Sequence, residues 1–168
     1  MCGLTGFWDV KISSDALKPL AQAMADCIDH RGPDDSGVWT DVEAGIALAH
    51  RRLSIVDLSA AGHQPMVSAS GRFVLAYNGE VYNHLDLRQE LQAAGAAPPW
   101  RGHSDTETLL ACIEVWGVET TLKRSIGMFA FALWDRQART LVLARDRAGE
   151  KPLYYGWQGD AFLFGSEL

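Results

Sequence analysis

The order in which two kinds of apolar spacing occur along the chain restricts the folds open to it. Residues 3–8 (G-L-T-G-F-W) read as a strand, and after the Ser13-Ser14-Asp15 cap signal Leu17, Leu20, Ala21, Met24 and Ile28 recur at helical spacing, with Cys27 expected in the core. Ile46 to Ala49 and Phe73 to Tyr77 read as strands. Leu85, Arg88, Leu91 and Gly95 mark a short helix capped by Asn83, and a longer helix opens at Ser104. Four more strands, at 128–134, 140–144, 153–157 and 161–164, read as an antiparallel meander. Strands at both ends with helices between them predict an α+β fold, a four-layer αββα sandwich of two antiparallel sheets with helices outside. With 168 residues the chain fits one domain with one sizeable core.

Composition excludes several classes of function. The formal net charge is −6, and the 15 Lys and Arg are scattered, so no basic face tracks phosphates and nucleic acid is not an expected partner. No apolar run approaches the ~18–20 residues of a membrane span and no leader-like start is present, which predicts a cytoplasmic chain. Three cysteines, at 2, 27 and 112, without C-x-x-C spacing fit neither a disulfide framework nor a zinc site; no metal is expected.

Candidate chemistry starts at Met1-Cys2-Gly3. Removal of Met1 leaves Cys2 with a free α-amine, so one residue carries a thiol (pKa near ~8.5) and a base (near ~7.7–8.0) that can take its proton. The bland alternative is a small apolar residue opening a strand. Residues 30–37 (H-R-G-P-D-D-S-G) are dense in turn formers and read as a loop, with His30 a cap. Arg51 and Arg52 follow a strand and should face opposite ways, so at most one enters a site, where it could grip a carboxylate. Residues 60–66 form a Gly- and Pro-marked loop able to act as a lid. Asn78-Gly79 has two readings: a two-residue hairpin turn, or an amide side chain and a backbone N–H aimed at a developing oxyanion. The residues after it, with Asn83 as a helix cap, favour strand, loop, helix. Ser104-Asp105-Thr106-Glu107 is a capping box, which gives Asp105 a local role and leaves it able to hold an ammonium group.

Taken together, Met-Cys-Gly, H-R-G-P-D-D-S-G (30–37), L-A-H-R-R-L-S-I-V-D (48–57), Y-N-G-E-V-Y-N-H (77–84), S-D-T-E (104–107), G-M-F-A-F-A-L-W-D (127–135) and R-D-R-A-G-E-K-P-L-Y-Y (145–155) resemble the class II glutamine amidotransferase domain of the asparagine synthetase family. The likeness covers essentially the whole chain, and implies the N-terminal-nucleophile hydrolase type of αββα sandwich. It implies hydrolysis of L-glutamine to glutamate and ammonia through a γ-glutamyl thioester on Cys2, with Asn78 and Gly79 as oxyanion hole. Arg52 matches the arginine that holds the substrate α-carboxylate, followed by Leu53, Ser54, Ile55 and Val56 along the glutamine site. Glu80 and Asp105 match the acidic positions near the α-ammonium.

The resemblance further implies an ATP-dependent synthetase domain, in cis or as a separate subunit, that receives the ammonia; ATP and Mg are expected only there and no cofactor here. No pyrophosphate-binding loop is present, so the chain reads as the N-terminal part of a longer protein, and a homodimer stays open. Glu150 resembles synthetase-like amidotransferases of surface-polysaccharide gene sets, so the acceptor is aspartate or another acid. Two alternatives stand beside the enzyme: a non-catalytic assembly or glutamine-sensing module of the same fold, and an N-terminal-nucleophile acylase or peptidase acting on other amides.

Overall fold

The computed structural model describes residues 1–55 and 59–168. In chain order the elements are β1 (Gly3–Trp8), α1 (Ser14–Asp26), β2 (Asp35–Asp41), β3 (Ile46–Arg52), β4 (Met66–Val67), β5 (Phe73–Val81), α2 (His84–Ala93), α3 (Asp105–Trp116), α4 (Val118–Arg124), β6 (Gly127–Asp135), β7 (Thr140–Arg145), β8 (Tyr154–Gln158) and β9 (Ala161–Gly165). One sheet runs β2-β3-β1-β9-β8 and the other β4-β5-β6-β7, with every named pairing antiparallel.

Alternation along the strands builds three apolar layers, which separate four layers of secondary structure, two of them sheets. Ala47 and Ala49 of β3, with Phe7 of β1, pack on Leu17, Ala21 and Ala25 of α1. The opposite face, Ile46, Leu48 and Leu4, meets Val74, Ala76, Ala132 and Trp134 of the second sheet. The second sheet's other face, Leu75, Tyr77, Phe129, Phe131 and Leu133, packs on Leu87 and Leu91 of α2 and Leu109, Leu110 and Ile113 of α3. The order is therefore α1, sheet, sheet, α2 with α3: the expected αββα sandwich. Truncating a fully buried leucine such as Leu48 or Leu75 costs about 2–5 kcal/mol in a core of this kind.

Several local expectations change. The last four strands are not one meander: β6 and β7 stay in one sheet while β8 and β9 join the other, because Asp146 to Leu153 carries the chain across the sandwich. Residues 35–41 form an edge strand that takes in the last three residues of the loop expected over 30–37, since β3 supplies a full ladder from Asp35↔Arg52 to Asp41↔Ile46. Cys27 is exposed rather than core: the buried stripe of α1 is Leu17, Ala21 and Ala25, and Cys27 lies past the helix end. Asn83 does sit at the α2 N-cap, but its side chain binds the Arg124 carbonyl (3.0 Å) and the Ile126 N–H (2.9 Å) instead of the helix. Gly95 ends α2 at a φ of 65°, as its position predicted.

Candidate active site

Strand parity decides which side chains reach the open end of the inter-sheet layer. Ile46 and Leu48 face that layer, so His50 and Arg52 follow on the same side of β3; Leu4 puts Cys2 there, one residue before β1; Val74 and Ala76 put Asn78 there from the other sheet. Cys2, Arg52 and Asn78 accordingly line one cavity of about 110 Å³. Leu53, Ile55, Gly79, Glu80 and Asp105 also line it. Ser54 does not, its N–H being tied to Asp34 Oδ2 at 2.8 Å, and Val56 lies outside the described residues. Arg51, as alternation requires, points to the opposite face, 3.6 Å from Asp26 of α1.

The cavity wall includes residues that the sequence did not single out as site residues. Gly62 and Gln64 come from the loop read as a lid, Lys151 from the 146–153 crossing, and Tyr77 and Met128 from β5 and β6. Gly62 lacks a Cβ where one would strike Arg52 Nη2, so the loop lies flush against the guanidinium. Arg52 Nη1 also donates to the Ser59 carbonyl (3.1 Å). The buried arginine is thus held by the loop while it lines the cavity.

The Cys2 thiol donates to the Leu53 carbonyl (3.5 Å) and accepts the Leu53 N–H (3.4 Å); Arg31 Nε holds the Cys2 carbonyl (3.1 Å). Burial pushes the thiol above its ordinary pKa, outweighing the Leu53 bond, the terminal ammonium and Arg52, which all pull it down; Asp105 pushes it further up. A thiol near its useful ionisation was expected from sequence, and burial removes that, so loss of its proton depends on a base. Met1 occupies the terminus here, half exposed, its Sδ accepting from Lys151 Nζ (3.3 Å).

Asn78 and Gly79 are not a hairpin turn. They lie inside β5, opposite Ala130 and Phe129 in a ladder that runs unbroken from Phe73↔Asp135 to Val81↔Gly127. A Cβ at Gly79 would collide with the Met128 carbonyl and the Phe129 Cα, so glycine lets β6 pass. Asn78 is buried, and its Nδ2 has no hydrogen-bond partner among the described residues. A buried amide donor without an acceptor is costly, about 1–3 kcal/mol, unless something arrives to accept from it.

Among the described residues, no strand pairs with that edge of β5 beyond β4, which meets only Val74 and Leu75. Side chains serve instead. Gln64 Oε1 accepts the Tyr77 N–H (2.7 Å), His50 Nε2 donates to the Tyr77 carbonyl (2.8 Å), and Asp105 Oδ2 accepts the Val81 N–H (2.8 Å). Backbone N–H groups two residues apart share a direction in a strand, so the Gly79 N–H, between those of Tyr77 and Val81, points to the same open edge. Gly79 and Asn78 both line the cavity.

Asp105 opens α3, whose cap is Ser104, accepting the Glu107 N–H (3.2 Å). The reciprocal half of the capping box is replaced: Glu107 reaches back to the N–H groups of Arg101 (2.9 Å) and Gly102 (3.1 Å). Asp105 Oδ2 also takes the Tyr77 hydroxyl (2.8 Å) and its Oδ1 the Thr106 N–H (3.0 Å), so its bonds come from neutral donors and its charge faces the cavity uncancelled by them. Burial, then the Asp105 charge, push the Tyr77 phenol well above its usual range and keep it a donor. Glu80 is exposed at the rim. A cavity with a guanidinium, a carboxylate, a thiol and two amide donors can seat a small zwitterion and stabilise an oxyanion on it.

Residues 1–168 match the family of the glutamine amidotransferase domain. The chain is 42% identical over 170 residues to asparagine synthetase [glutamine-hydrolyzing] 3 of Bacillus subtilis, covering all of this chain and 27% of that protein. It is 40% identical to asparagine synthetase B [glutamine-hydrolyzing] of Escherichia coli, covering 98% of this chain and 28% of that one. The chain thus spans little more than a quarter of either relative's length. Among solved structures, glutamine phosphoribosylpyrophosphate amidotransferase of B. subtilis, complexed with ADP and GMP, superposes with a TM-score of 0.79 at 24% identity, over 98% of this chain and 42% of that one, a likeness of fold.

Proposed function

We propose, from the premise that this chain belongs to the glutamine amidotransferase domain family, that Cys2 hydrolyses free L-glutamine at the open end of the inter-sheet layer. The observation that carries the reading is the buried Asn78 Nδ2, which has no acceptor among the described residues, in a side chain that lines the same cavity as Cys2. Arg52 takes the α-carboxylate, Asp105 and Glu80 the α-ammonium, which directs the side-chain amide toward the thiol. With Met1 removed, the Cys2 α-amine accepts the thiol proton and the sulfur attacks the amide carbon. The Leu53 N–H, already on Sγ, supports the developing thiolate.

Negative charge then gathers on the amide oxygen, between Asn78 Nδ2 and the Gly79 N–H; loss of one such donor costs about 2.7–4 kcal/mol, read in kcat. The protonated α-amine returns its proton to the departing nitrogen, which leaves as ammonia, and water resolves the γ-glutamyl thioester to glutamate. The ammonia goes to an ATP-dependent amidation of an acid, aspartate or another, carried out by a further domain or subunit that supplies the ATP and Mg chemistry; the relatives are named as asparagine synthetases. The direct test is the intact mass of the protein before and after a glutamine-shaped diazo-ketone. Absence of Met1 and a single adduct, missing in Cys2→Ala, are expected; a terminal Cys2 that takes no adduct would overturn the reading.

A further inference from the structure

Three backbone groups on the edge of β5 beyond β4 are met by side chains. The Tyr77 N–H goes to Gln64 Oε1, the Tyr77 carbonyl to His50 Nε2, and the Val81 N–H to Asp105 Oδ2. Gly79, between them, lines the cavity, and strand alternation directs its N–H to this same edge. The assignment of the Gln64 amide is fixed by its partner: an N–H can only donate, so the atom 2.7 Å from it is the oxygen. Gln64 is buried and lines the cavity, and it comes from a loop whose neighbour, Gly62, packs on Arg52. One loop therefore touches the side chain proposed to hold the substrate and the strand proposed to hold the oxyanion.

We propose that Gln64 is a positioning residue for the oxyanion hole, acting through the Tyr77 N–H to set where Asn78 and Gly79 present their donors. Any position of β5 that satisfies the Tyr77 N–H must bring it to Gln64 Oε1, which fixes the strand one residue before Asn78 and two before Gly79. β6 holds one edge of β5, and a further β-strand on the opposite edge would have taken the Gly79 N–H; a single side-chain acceptor holds that edge at Tyr77 without covering Gly79. His50 holds the same peptide segment from its carbonyl side. Oxyanion donors act through placement, and a displacement on the order of 1 Å costs about 10²-fold. Gln64 thus contributes to stabilising charge in the transition state and not to seating glutamine.

This inference rests on the proposed role of Asn78 and Gly79, and the test separates the two. The probes are L-glutamate, which reports ground-state seating, and the γ-aldehyde analogue of glutamine, to whose carbonyl carbon the Cys2 sulfur adds while the thiol proton passes to the oxygen, giving a tetrahedral hemithioacetal. Gln64→Met, close in size and without the acceptor, should weaken the aldehyde about 10–100-fold while glutamate binding stays within about twofold. Gln64→Glu keeps an oxygen for the Tyr77 N–H and should retain the preference for aldehyde over glutamate to within about threefold. An unchanged aldehyde affinity in Gln64→Met, an equal loss for both probes, or a Glu variant as impaired as the Met variant would overturn the role of Gln64. Failure of the unsubstituted protein to bind the aldehyde would overturn the oxyanion reading itself.

Discussion

Asp105 and Asp146 do the same mechanical job on adjacent strands, and comparing them shows what separates a site from a scaffold. Each is a buried carboxylate that takes one strand N–H which the ladder leaves over: Asp105 that of Val81 on β5 (2.8 Å), Asp146 that of Phe129 on β6 (3.0 Å). Asp146 completes its set with the N–H groups of Ala148, Glu150 and Lys151, so its charge closes a loop upon itself. Burial pushes the Asp146 carboxyl up, but the four N–H bonds prevail and hold it below the usual carboxylate range. Asp105 is bound by fewer backbone donors and a phenol, faces the Cys2 cavity, and stands beside a strand residue, Gly79, that lines the same cavity. A buried aspartate with backbone donors is therefore no sign of chemistry by itself. The sign is the cavity it shares with a thiol and a guanidinium.

The sharpest way to break this contrast is to remove the charge from each. Asp105→Asn should cost about 2–5 kcal/mol in glutaminase kcat/KM, at least about 30-fold and mostly in KM, as expected for a buried partner of the substrate ammonium. Asp146→Asn should leave kcat/KM within about threefold; equal losses in both variants would mean that both carboxylates are scaffold.

Acid should separate the two regions next. Burial holds His50, the clamp on the Tyr77 carbonyl, at about 4, well below its ordinary 6.5. The unfolded chain therefore binds the extra proton between those values, so the contribution of His50 is complete above about pH 6.5 and is lost as pH falls toward 4. The loss is on the order of 3 kcal/mol. Asp146, with its pKa depressed below that of a carboxylate, keeps its contribution to lower pH. Urea melts at pH 7, 5.5 and 4.5 should show the early loss, and His50→Phe should flatten it; a pH-independent midpoint over that range would refute the assignment. At neutral pH, Asp146→Ala should lower stability by about 1–3 kcal/mol, the cost of leaving buried N–H groups unmet. A melt that does not move would mean water meets them.

Much of this arrangement was legible in the sequence because strands keep parity. The opposite directions of Arg51 and Arg52, the αββα layering and the capping serine all follow from spacing that the structure preserves. The Asn78-Gly79 pair shows the limit. Its local signal is that of a turn, and only the pairing of β5 with β6 decides that the strand continues. Gln64 was beyond reach for a different reason: it binds a backbone N–H thirteen residues away, and no side-chain pattern announces such a bond. The same holds for Lys151, brought to the cavity by a crossing between sheets where a meander was expected.

The smallest effect sharpens the comparison most, because it asks what places Asp105. Ser104 caps α3 directly before it, with extended backbone (φ −68°, ψ 145°) and its hydroxyl on the Glu107 N–H. Loss of such a cap costs about 1 kcal/mol. If α3 alone aimed the carboxylate, fraying its first turn would release Asp105 and the glutaminase reaction would suffer as it does in Asp105→Asn. The structure instead ties Asp105 to Tyr77 and Val81 on β5, bonds that survive loss of the hydroxyl. Ser104→Ala should therefore lower the unfolding free energy by about 1 kcal/mol and leave KM for glutamine within about twofold. A KM raised as far as in Asp105→Asn would show that the helix end, rather than the strand, holds the charge in place.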